Sequence, residues 1–391
     1  MIVGFFHDHE FVQVDEVVYT TGSLNSNIWL RYLDSGADKL LVCGRRRRVD
    51  NIDVKSFPVA SHPSVDFSLI RGFSSAKALV APNRSDVNEL VQLISCCDRV
   101  IARLPSEIGY RAVDTAVKLG IPVAVEVVGC PYDALRNYGS LKARLYSILA
   151  MYRMKKCVGK AHAAIYVTKQ FLQSRYPSTV SPVQNASNVE IMEVADKSLE
   201  PRLERFDGIG HILQLTFVGD LSNNIKGLDV LISSVKIFEK SSSRPLVVNV
   251  VGKGDVERYK ALISDLGLST RFIFHGFISS KRELFDVLDE TDVFIHPSYQ
   301  EGLPRAVIEA MSRGCPILSS SAGGLPELVL RENIHAPGDH SKLASDLLSV
   351  CSNRDLIRES VSHSLNESKQ YLKATLDVKR SSFWKSFLGR A

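Results

Sequence analysis

The chain has 391 residues, of which 45% are hydrophobic and 23% are charged, and its formal net charge at pH 7 is +5. This composition is that of a folded globular protein and excludes a fibrous or disordered chain. The mild charge lacks the concentrated basic surface of a nucleic-acid-binding protein, so we expect no nucleic-acid partner. A single core seldom grows to this length, which predicts two domains.

The seven cysteines are scattered and form no C-x-x-C pair, which argues against a zinc ribbon or a redox motif. Free cysteines are typical of a reducing compartment, so we expect a cytoplasmic protein. The first ten residues lack the basic start and the apolar run of a signal peptide. No stretch reaches the ~18 apolar residues that cross a bilayer, so any membrane contact is expected to be peripheral, on the inner face of the plasma membrane.

Short apolar runs rich in β-branched residues alternate with helix-compatible segments along the first half of the chain. Runs that are apolar throughout predict strands buried on both faces of a sheet, and the alternation predicts parallel βαβ units. The strands predicted in this half are 2–6, 39–43, 78–81, 100–103, 123–128 and 164–167.

The second half repeats the pattern, with strands predicted at 213–218, 246–251, 271–274, 293–296, 316–319 and 333–335. Two such series predict an α/β architecture of two Rossmann-like, doubly wound domains. A stretch with little apolar periodicity separates them and is expected to hold the hinge at about 180–205. We therefore expect an N-terminal domain over 1–185 and a C-terminal domain over 205–368. The helical apolar pattern of 369–391 is expected to pack back on the N-terminal domain.

The strongest chemical signal is the segment HPSYQEGLPRAVIEAMSRGCP, which starts at His296. A buried strand is predicted to end at His296, and Pro304 suits the first position of the helix that follows. The loop between them lies at the carboxyl end of a parallel strand, where open α/β sheets bind ligands. Free amides at the helix start suit a phosphate or a polar sugar. The carboxylates of Glu301 and Glu309 are acceptors for sugar and ribose hydroxyl groups.

This segment resembles the E-x7-E motif of family 4 retaining glycosyltransferases, which belong to the group 1 glycosyltransferases of the GT-B superfamily. The match includes both glutamates and the inner Gly302-Leu303-Pro304. Further segments occur in the order typical of the family: Gly219-Asp-Leu, Lys226-Gly227, Val251-Gly-Lys-Gly254, His275-Gly276-Phe277 and Ala322-Gly-Gly-Leu-Pro-Glu327. The resemblance covers about 210–340 closely and the first half loosely. It implies a GT-B fold, with the two domains facing each other across a cleft.

The resemblance also implies a site for a nucleotide-sugar donor in the C-terminal domain. Glu309 would bind the ribose hydroxyls. Glu301 would bind hydroxyls of the donor sugar, with the amides of Gly302 and Leu303 nearby. Lys226 would neutralise the diphosphate, so Glu301 and Lys226 are the residues expected to matter most for catalysis.

Two further contacts with the donor follow from the resemblance. The backbone near Phe277 and Ile278 would edge the base. Gly22 lies in a loop that corresponds, in the family, to a glycine-bearing loop close to the donor phosphates and the acceptor. A plain turn is the alternative for the Gly22 loop.

One position departs from the family, whose members often carry an arginine directly after the residue that is Gly219 here. This chain has Asp220, and an acid beside a diphosphate would repel it by something on the order of several kcal/mol at a low effective dielectric. Three alternatives remain open. Asp220 points away, another base such as Arg305 or Arg45 substitutes, or donor binding is weak.

In the first half, Glu126 and Asp133 are the candidates for contact with the acceptor. They lie in a segment at the end of a buried strand. Relatives often hold a histidine in this region, and none occurs here. A metal site is imaginable at His7 and His9, with acids between them, but further ligands are missing from the neighbouring sequence. The family is usually metal-independent, so no metal and no cofactor are expected.

Basic and apolar residues interleave at helical spacing over 142–160. Such a face can lie on an anionic membrane surface. The alternative is a core-packed helix with a solvated basic rim. Arg45–Arg48 could extend the basic surface, although a run of arginines is more often solvated.

These expectations combine into a retaining transfer of a hexose-type sugar from a UDP- or GDP-sugar to a glycan or lipid-linked oligosaccharide. The implied setting is surface polysaccharide biosynthesis, such as lipopolysaccharide or capsule. A nucleotide-sugar epimerase of the same fold is one alternative, and it would need titratable acid–base residues in the cleft. A catalytically degenerate subunit that binds glycan or a partner enzyme is the other, and Asp220 and the missing histidine of the first half are its only support.

Overall fold

The computed structural model describes residues 1–20, 22–47, 57–71, 73, 83–137, 139–208 and 210–389. The chain divides into two compact units: unit 1 comprises Met1–Ala186 and Asp377–Ala391, and unit 2 comprises Ser187–Leu376. The limits expected at 185, 205 and 368 thus differ from the observed ones. The stretch 187–204 belongs to unit 2 because, for example, the amide of Ala195 donates to the carbonyl of Ser312 at 2.8 Å. Lys373 is tied to the same stretch through the carbonyl of Ile191.

The sheet of unit 1 is mainly parallel. Its described strands are β1 (Ile2–Val14), β2 (Val17–Thr20), β3 (Lys39–Arg46), β4 (Val65–Ile70), β5 (Arg99–Leu104), β6 (Val123–Val127), β7 (Ala163–Tyr166) and β8 (Val183–Asn185). Their order is β4-β3-β1-β5-β6-β7-β8 with parallel neighbours, and β2 pairs antiparallel with β1. The strand predicted at 78–81 lies outside the described residues. The chain fills one side of β1 first and then crosses to β5, so the topological switch point lies between β1 and β5.

Helices connect these strands. They are α1 (Ser26–Leu33), α2 (Arg84–Ser95), α3 (Glu107–Lys118), α4 (Pro131–Arg136), α5 (Leu141–Lys160) and α6 (Phe171–Arg175). The C-terminal residues add a further aromatic contact to unit 1, since the buried ring of Trp384 meets the ring of Tyr32 edge to face, with centroids 5.0 Å apart. Aromatic pairs in this geometry add stability beyond the area that they bury.

Unit 2 is a second parallel sheet. Its strands are β9 (Leu213–Val218), β10 (Leu246–Val251), β11 (Phe272–Gly276), β12 (Val293–His296), β13 (Ile317–Ser320) and β14 (Ile334–His335). They follow the order β11-β10-β9-β12-β13-β14, with every neighbouring pair parallel. The prediction of two Rossmann-like α/β domains is confirmed.

The helices of the second half of the chain are α7 (Leu199–Asp207), α8 (Leu228–Ser241), α9 (Val256–Asp265), α10 (Lys281–Asp289), α11 (Arg305–Ser312), α12 (His340–Ser352), α13 (Arg354–Ser368) and α14 (Lys373–Leu388). Most of α14 belongs to unit 1. The strands read as apolar throughout because both of their faces are covered. Phe217 and Val248 on the sheet and Phe238 on α8 are fully buried, and each such side chain stabilises the fold by about 2 kcal/mol.

The switch point of unit 2 lies between β9 and β12, because the chain runs from β9 to β10 and β11 and then returns to β12. Open α/β sheets bind ligands in the crevice at the carboxyl ends of such strands. Across the described parts of both units, no helix combines the length and the apolar character that spanning a bilayer requires.

Candidate functional site

A cleft of about 510 Å³ lies at the carboxyl ends of the unit 2 strands. Val218, Val251 and His296 reach it from the ends of β9, β10 and β12. The N-terminal residues of α11 and the loops after the strands complete its lining, which includes Gly219, Asp220, Lys226, Lys253, Phe277, Ile278, Lys281, Glu301, Leu303, Arg305 and Glu309. The site predicted from the second half of the sequence is therefore one continuous cleft within unit 2.

Glycines hold two of its loops in place. Gly227 follows the 3-10 turn Asn224–Lys226 at φ +74°, and a Cβ there would lie 2.2 Å from the carbonyl oxygen of Pro297. Gly323 has φ +59°, and a Cβ there would lie 2.1 Å from the carbonyl oxygen of Glu301. Only glycine combines this conformation with this close approach, so the backbones that carry Lys226 and Glu301 are fixed by their neighbours.

Glu301 is the most highly connected side chain of the cleft. Its Oε1 accepts hydrogen bonds from Lys226 Nζ at 2.6 Å, His296 Nε2 at 2.7 Å and Ser298 Oγ at 2.7 Å. Burial alone would raise the pKa of Glu301, but the hydrogen bond from His296 and the charge of Lys226 outweigh it and lower the pKa to about 2. Glu301 is thus a carboxylate at any physiological pH, and its Oε2 has no partner among the described residues.

His296 and Ser298 were not assigned a role from the sequence. His296 is 1% exposed at the end of β12, and its Nε2 is the atom that faces Glu301. Because a carboxylate oxygen only accepts, Nε2 is the donor, and the buried Nδ1 has no hydrogen-bond partner among the described residues. The available signal was a polar residue at the end of an otherwise apolar strand, five positions before the glutamate.

Lys226 and Glu301 were predicted to contact different parts of a donor. The structure shows that they also contact each other, because the turn after β9 and the loop after β12 meet across the switch point. The pair is well shielded from water, with the lysine side chain 27% and the glutamate side chain 8% exposed. It places a positive and a negative group side by side in the cleft.

Glu309 lies on the second turn of α11 and is half-buried. Burial raises the pKa of this carboxyl group, and the positive charges of Lys281 and Arg305 oppose the shift. The first amides of α11 have no acceptor within the helix. Gly302 and Leu303 directly precede this helix start, and the carbonyl of Gly302 is held by the amide of Gly324 at 2.8 Å.

Asp220 is exposed in the cleft, and its Oδ1 accepts the amide of Ser222 at 2.7 Å. Burial alone would raise the pKa of Asp220, but the hydrogen bonds with Ser222 and the charges of Lys253 and Lys226 lower it. The carboxylate therefore caps its own loop and faces two lysines. Of the two substitute bases named above, Arg305 lines the cleft.

The other substitute, Arg45, belongs to unit 1, where its Nε donates to the carbonyl of Asp8 at 2.7 Å.

Lys253 was not singled out from the sequence, although it lines the cleft beside Phe277. Phe277 is 66% exposed, and the Nζ of Lys253 lies 5.3 Å from the centroid of its ring. An exposed ring with a cation beside it suits a flat aromatic group such as a base, and Ile278 lines the cleft next to it.

The acceptor-side candidates of unit 1 have separate surroundings. Glu126 is 6% exposed on β6 and pairs with Arg103 on the adjacent β5 at 2.8 Å, while the hydroxyl of Tyr32 donates to its other oxygen at 2.7 Å. A buried carboxylate needs such partners, so the structure places Glu126 as an internal counter-ion. Asp133 is less buried and pairs with Arg175 at 2.6 Å. Gly22 is exposed after β2.

Helix α5, which contains 142–160, has one packed face and one exposed face. One face packs into unit 1 through its buried residues, among them Ala150, Met154 and Val158. A second face points outward with large apolar side chains at least half exposed: Leu141, Leu145, Ile148, Leu149 and Tyr152. Basic residues flank this outward stripe, since Lys142, Arg144, Lys155 and Lys156 are exposed. Arg48 of the neighbouring arginine run lies outside the described residues.

The segment around His7 and His9 was considered as a metal site. Within the ranges that the structure describes, no group of three or more histidine, cysteine or acidic side chains is arranged to hold a metal ion. The carboxylate of Asp8 instead accepts the amides of Glu107 at 2.7 Å and Ile108 at 3.0 Å, at the start of α3.

Comparison with known proteins agrees with this geometry. A family model described as "Glycosyl transferases group 1" matches residues 213–353, which include the whole Glu301–Glu309 motif. Among curated relatives, Protein CapJ of Staphylococcus aureus is 30% identical over 339 residues, covering 87% of this chain and 83% of CapJ. The amylovoran biosynthesis glycosyltransferase AmsK of Erwinia amylovora is 34% identical over 173 residues, covering 41% of this chain and 42% of AmsK.

Solved structures share the fold at low identity. Sucrose-phosphate synthase from Thermosynechococcus elongatus superposes with a TM-score of 0.68 at 14% identity, covering 100% of both chains. HepE of Anabaena, solved in complex with UDP, superposes with a TM-score of 0.65 at 15% identity, covering 98% of this chain and 99% of HepE. From the length of the match to CapJ, together with the family model on the domain that carries the cleft, the chain belongs to the group 1 glycosyltransferases.

Proposed function

We propose that the enzyme transfers a hexose-type sugar, with retention at the anomeric carbon, from a nucleoside-diphosphate sugar to a glycan acceptor, as family 4 enzymes do. The observation that carries this proposal is the cleft of unit 2. There a permanently charged Glu301 with a free Oε2, Lys226 and Glu309 surround the start of α11. A nucleoside-diphosphate sugar offers hydroxyl groups for both carboxylates and a diphosphate for the lysine and the helix start.

Each part of the donor has a matching group. Glu309 accepts the ribose hydroxyls, and Glu301 accepts hydroxyls of the sugar through Oε2. Lys226 and the first amides of α11 stabilise the charge that develops on the leaving diphosphate. Lys253 and Arg305 supply further positive charge at the rim of the cleft. This charge replaces that of the arginine that family members often have at the position of Asp220.

The proposed chemistry needs no protein nucleophile. Oε1 of Glu301 already accepts three hydrogen bonds, and its pKa of about 2 leaves no proton to donate. Glu301 positions the donor sugar in this proposal. The bond between the anomeric carbon and the diphosphate oxygen breaks, the acceptor hydroxyl oxygen bonds to that carbon from the same face, and the hydroxyl proton passes to the leaving diphosphate. The lysines supply the positive charge, so no metal ion and no cofactor enter the proposal.

The donor base and the setting follow from the relatives. HepE is solved with UDP in a chain of the same fold, which favours a UDP-sugar over a GDP-sugar. AmsK is named for the biosynthesis of amylovoran, which supports a polysaccharide pathway such as that of a capsule or a lipopolysaccharide. We place the reaction on the cytoplasmic side, where nucleotide sugars are made.

The outward stripe of α5 supports contact with an anionic membrane surface. Exposed leucines beside exposed lysines match lipid tails at the boundary and anionic headgroups above them. A lipid-linked oligosaccharide would be reached from the same surface, so we propose that the enzyme works as a peripheral protein of the inner face of the plasma membrane.

A nucleotide panel tests the donor site first. Isothermal titration calorimetry with UDP, GDP, ADP, CDP and NAD is expected to show selective binding of one nucleoside diphosphate. Loss of Glu309 in Glu309→Ala should weaken this binding by about tenfold, because two hydroxyl contacts disappear. Glu359→Ala, an exposed glutamate on α13, is the matched control and should bind normally. Absence of binding for every nucleotide would overturn the proposal.

The stereochemical part needs its own readout. Proton NMR of the product formed from the matching donor should show the same anomeric configuration as the donor. An inverted product would contradict the retaining mechanism and leave the assignment of the cleft intact.

A further inference from the structure

The first strand of unit 1, β1, carries an irregularity near its middle. Between Phe6 and Glu10, β1 advances four residues, while its parallel partner β3 advances only two, from Cys43 to Arg45. Two residues of β1 are therefore extra, and the pairing of β1 with β5 also stops at Phe6. Bulges of this kind redirect side chains and are frequent next to active sites.

The bulge is held rigidly. The carboxylate of Asp8 accepts the amides of Glu107 and Ile108 at the start of α3, and its own amide donates to Ser106 Oγ at 3.0 Å. From the other side, Arg45 Nε donates to the carbonyl of Asp8 at 2.7 Å. Because contacts with α3 and β3 fix the backbone of the bulge, the directions of its side chains are fixed as well.

The bulge ends at the switch point of unit 1. The strands on the two sides of β1 are β3 and β5, and the chain visits them in separate passes. The pairing of β1 with β5 stops at Phe6, so the bulge of β1 and the carboxyl end of β5 border the crevice in which open α/β sheets bind ligands. His9 stands within the bulge, one residue before the pairing with β3 resumes at Glu10.

A hydrogen bond at one ring nitrogen orients the imidazole of His9, and the other ring nitrogen is available to a ligand. Its Nε2 lies 2.6 Å from Oγ1 of Thr20, which also accepts the amide of Gly22 at 3.1 Å. The edge of the ring packs on Phe11, with centroids 4.7 Å apart. Nδ1 has no hydrogen-bond partner in the part of the chain that the structure describes, and the residue is only partly buried.

Gly22 leaves the imidazole uncovered. A Cβ on Gly22 would lie 3.0 Å from Cε1 of His9, the ring atom next to Nδ1. The backbone of Gly22 is not in the left-handed region, so its conformation does not require glycine. What glycine provides here is space above His9.

We propose that His9 binds a hydroxyl group of the glycan acceptor through Nδ1, and that Gly22 keeps this atom accessible. The inference rests on the proposed transfer function and adds the acceptor contact within unit 1. Burial and the charges of Arg103 and Arg45, opposed by Glu10, lower the pKa of His9 to about 4. The ring is therefore neutral, and a neutral imidazole can exchange a hydrogen bond with a hydroxyl group.

The experiment separates acceptor from donor effects. The full chain is given the nucleotide sugar selected by the nucleotide panel, and two rates are measured: hydrolysis of the donor by water, and transfer to p-nitrophenyl glycosides of glucose, galactose, mannose and N-acetylglucosamine. His9→Ala should lower kcat/KM for the best glycoside by about tenfold and leave donor hydrolysis within about twofold of wild type. His9→Gln, which keeps a neutral hydrogen-bonding group, should recover most of the loss.

Gly22→Ala tests access without touching the histidine. The added Cβ should raise KM for the glycoside by about fivefold. Gly159→Ala is the matched control, because a Cβ there meets nothing within 4 Å. Equal losses of hydrolysis and transfer in His9→Ala, or no loss of either, would overturn the proposal.

A binding readout keeps the two proposals distinguishable. If the wild-type chain turns over no donor, the proposed transfer fails, and histidine side-chain NMR with the same glycosides still decides the role of His9. Signals that vanish in His9→Gln identify the residue. Their shift on addition of a glycoside supports the site, and unchanged signals up to the solubility limit of all four glycosides contradict it.

Discussion

Nζ of Lys226 lies 2.6 Å from Oε1 of Glu301 although 75 residues separate them in the sequence. The contact is held in place because the turn after β9 and the loop after β12 are each fixed by a glycine. Glu301 thus orients the side chain of Lys226, and Lys226 and His296 keep Glu301 ionised. Replacing either residue affects the other.

Lys226→Ala is expected to lower the rate of transfer by about 100-fold, because a positive group at the leaving diphosphate is lost. Glu301→Ala should lose at least as much, since Lys226 then has no carboxylate to orient it. Initial rates with the selected donor check both. A loss of no more than about twofold in either variant would refute the assigned roles.

The stability of unit 2 should depend on pH through Glu301. Its pKa in the folded chain is about 2, below the ordinary value of 4.5. A lowered pKa means that the ionised group stabilises the fold above the unfolded pKa, and this contribution is lost as the pH falls from about 4.5 through about 2. Urea unfolding of wild type and Glu301→Gln should show a difference at pH 7 that shrinks towards pH 3. A constant difference over this range would contradict the linkage.

Gly323→Ala is expected to destabilise the chain by about 2 kcal/mol or more and to weaken nucleotide binding, because the new Cβ pushes on the backbone of Glu301. Gly267→Ala serves as the control. Gly267 has a similar φ of +70°, but a Cβ there meets nothing within 4 Å, so only the backbone strain of about 1 kcal/mol remains. Urea unfolding and nucleotide calorimetry would show equal effects in both variants if the contact with Glu301 were unimportant.

Asp220→Asn should strengthen nucleoside-diphosphate binding by about threefold at low salt, because it removes an exposed negative charge from the cleft. Asparagine keeps an oxygen for the amide of Ser222, so the loop is preserved. Calorimetry at two salt concentrations measures the effect, which should shrink as salt is added. Weaker binding in Asp220→Asn would show that the acid helps to hold Lys253 or Lys226 in place.

The outward stripe of α5 predicts binding to vesicles that contain anionic lipid. Leu145→Glu combined with Leu149→Glu should abolish it. Lys155→Gln combined with Lys156→Gln should weaken it by about 30-fold, since each basic residue near the surface contributes about 1 kcal/mol. Vesicle sedimentation with anionic and with neutral lipid gives the readout. Val378→Glu, at another exposed apolar position, is the control. Equal sedimentation of all variants would contradict membrane contact.

Most strands of unit 2 could be predicted because apolar residues dominate them, as burial on two faces requires, although polar residues such as Asn249 and His275 interrupt the pattern. β4 and β8 were not predicted, since the exposed residues in Val65–Ile70 and the short Val183–Asn185 break that pattern. The motif around Glu301 was visible because strand end, loop and helix start are consecutive in the chain.

Contacts between distant loops could not be predicted. The sequence does not indicate that Lys226 and His296 both contact Glu301. These contacts depend on the order of the strands in the sheet. Glu126 has a partner that the sequence did not reveal, because Arg103 on the adjacent strand pairs with it, and its contact with the acceptor stays a prediction. Ion pairs across neighbouring strands leave no trace in the sequence of either one.

The outward face of α5 has a consequence for handling the protein. Five large apolar side chains form one exposed stripe, and their exposure to water is unfavourable wherever lipid does not cover them. Copies of the chain in plain buffer can cover these stripes only with one another, so we expect self-association that grows with protein concentration. Detergent or anionic vesicles should reverse it, which makes the choice of buffer part of any measurement on the wild-type enzyme.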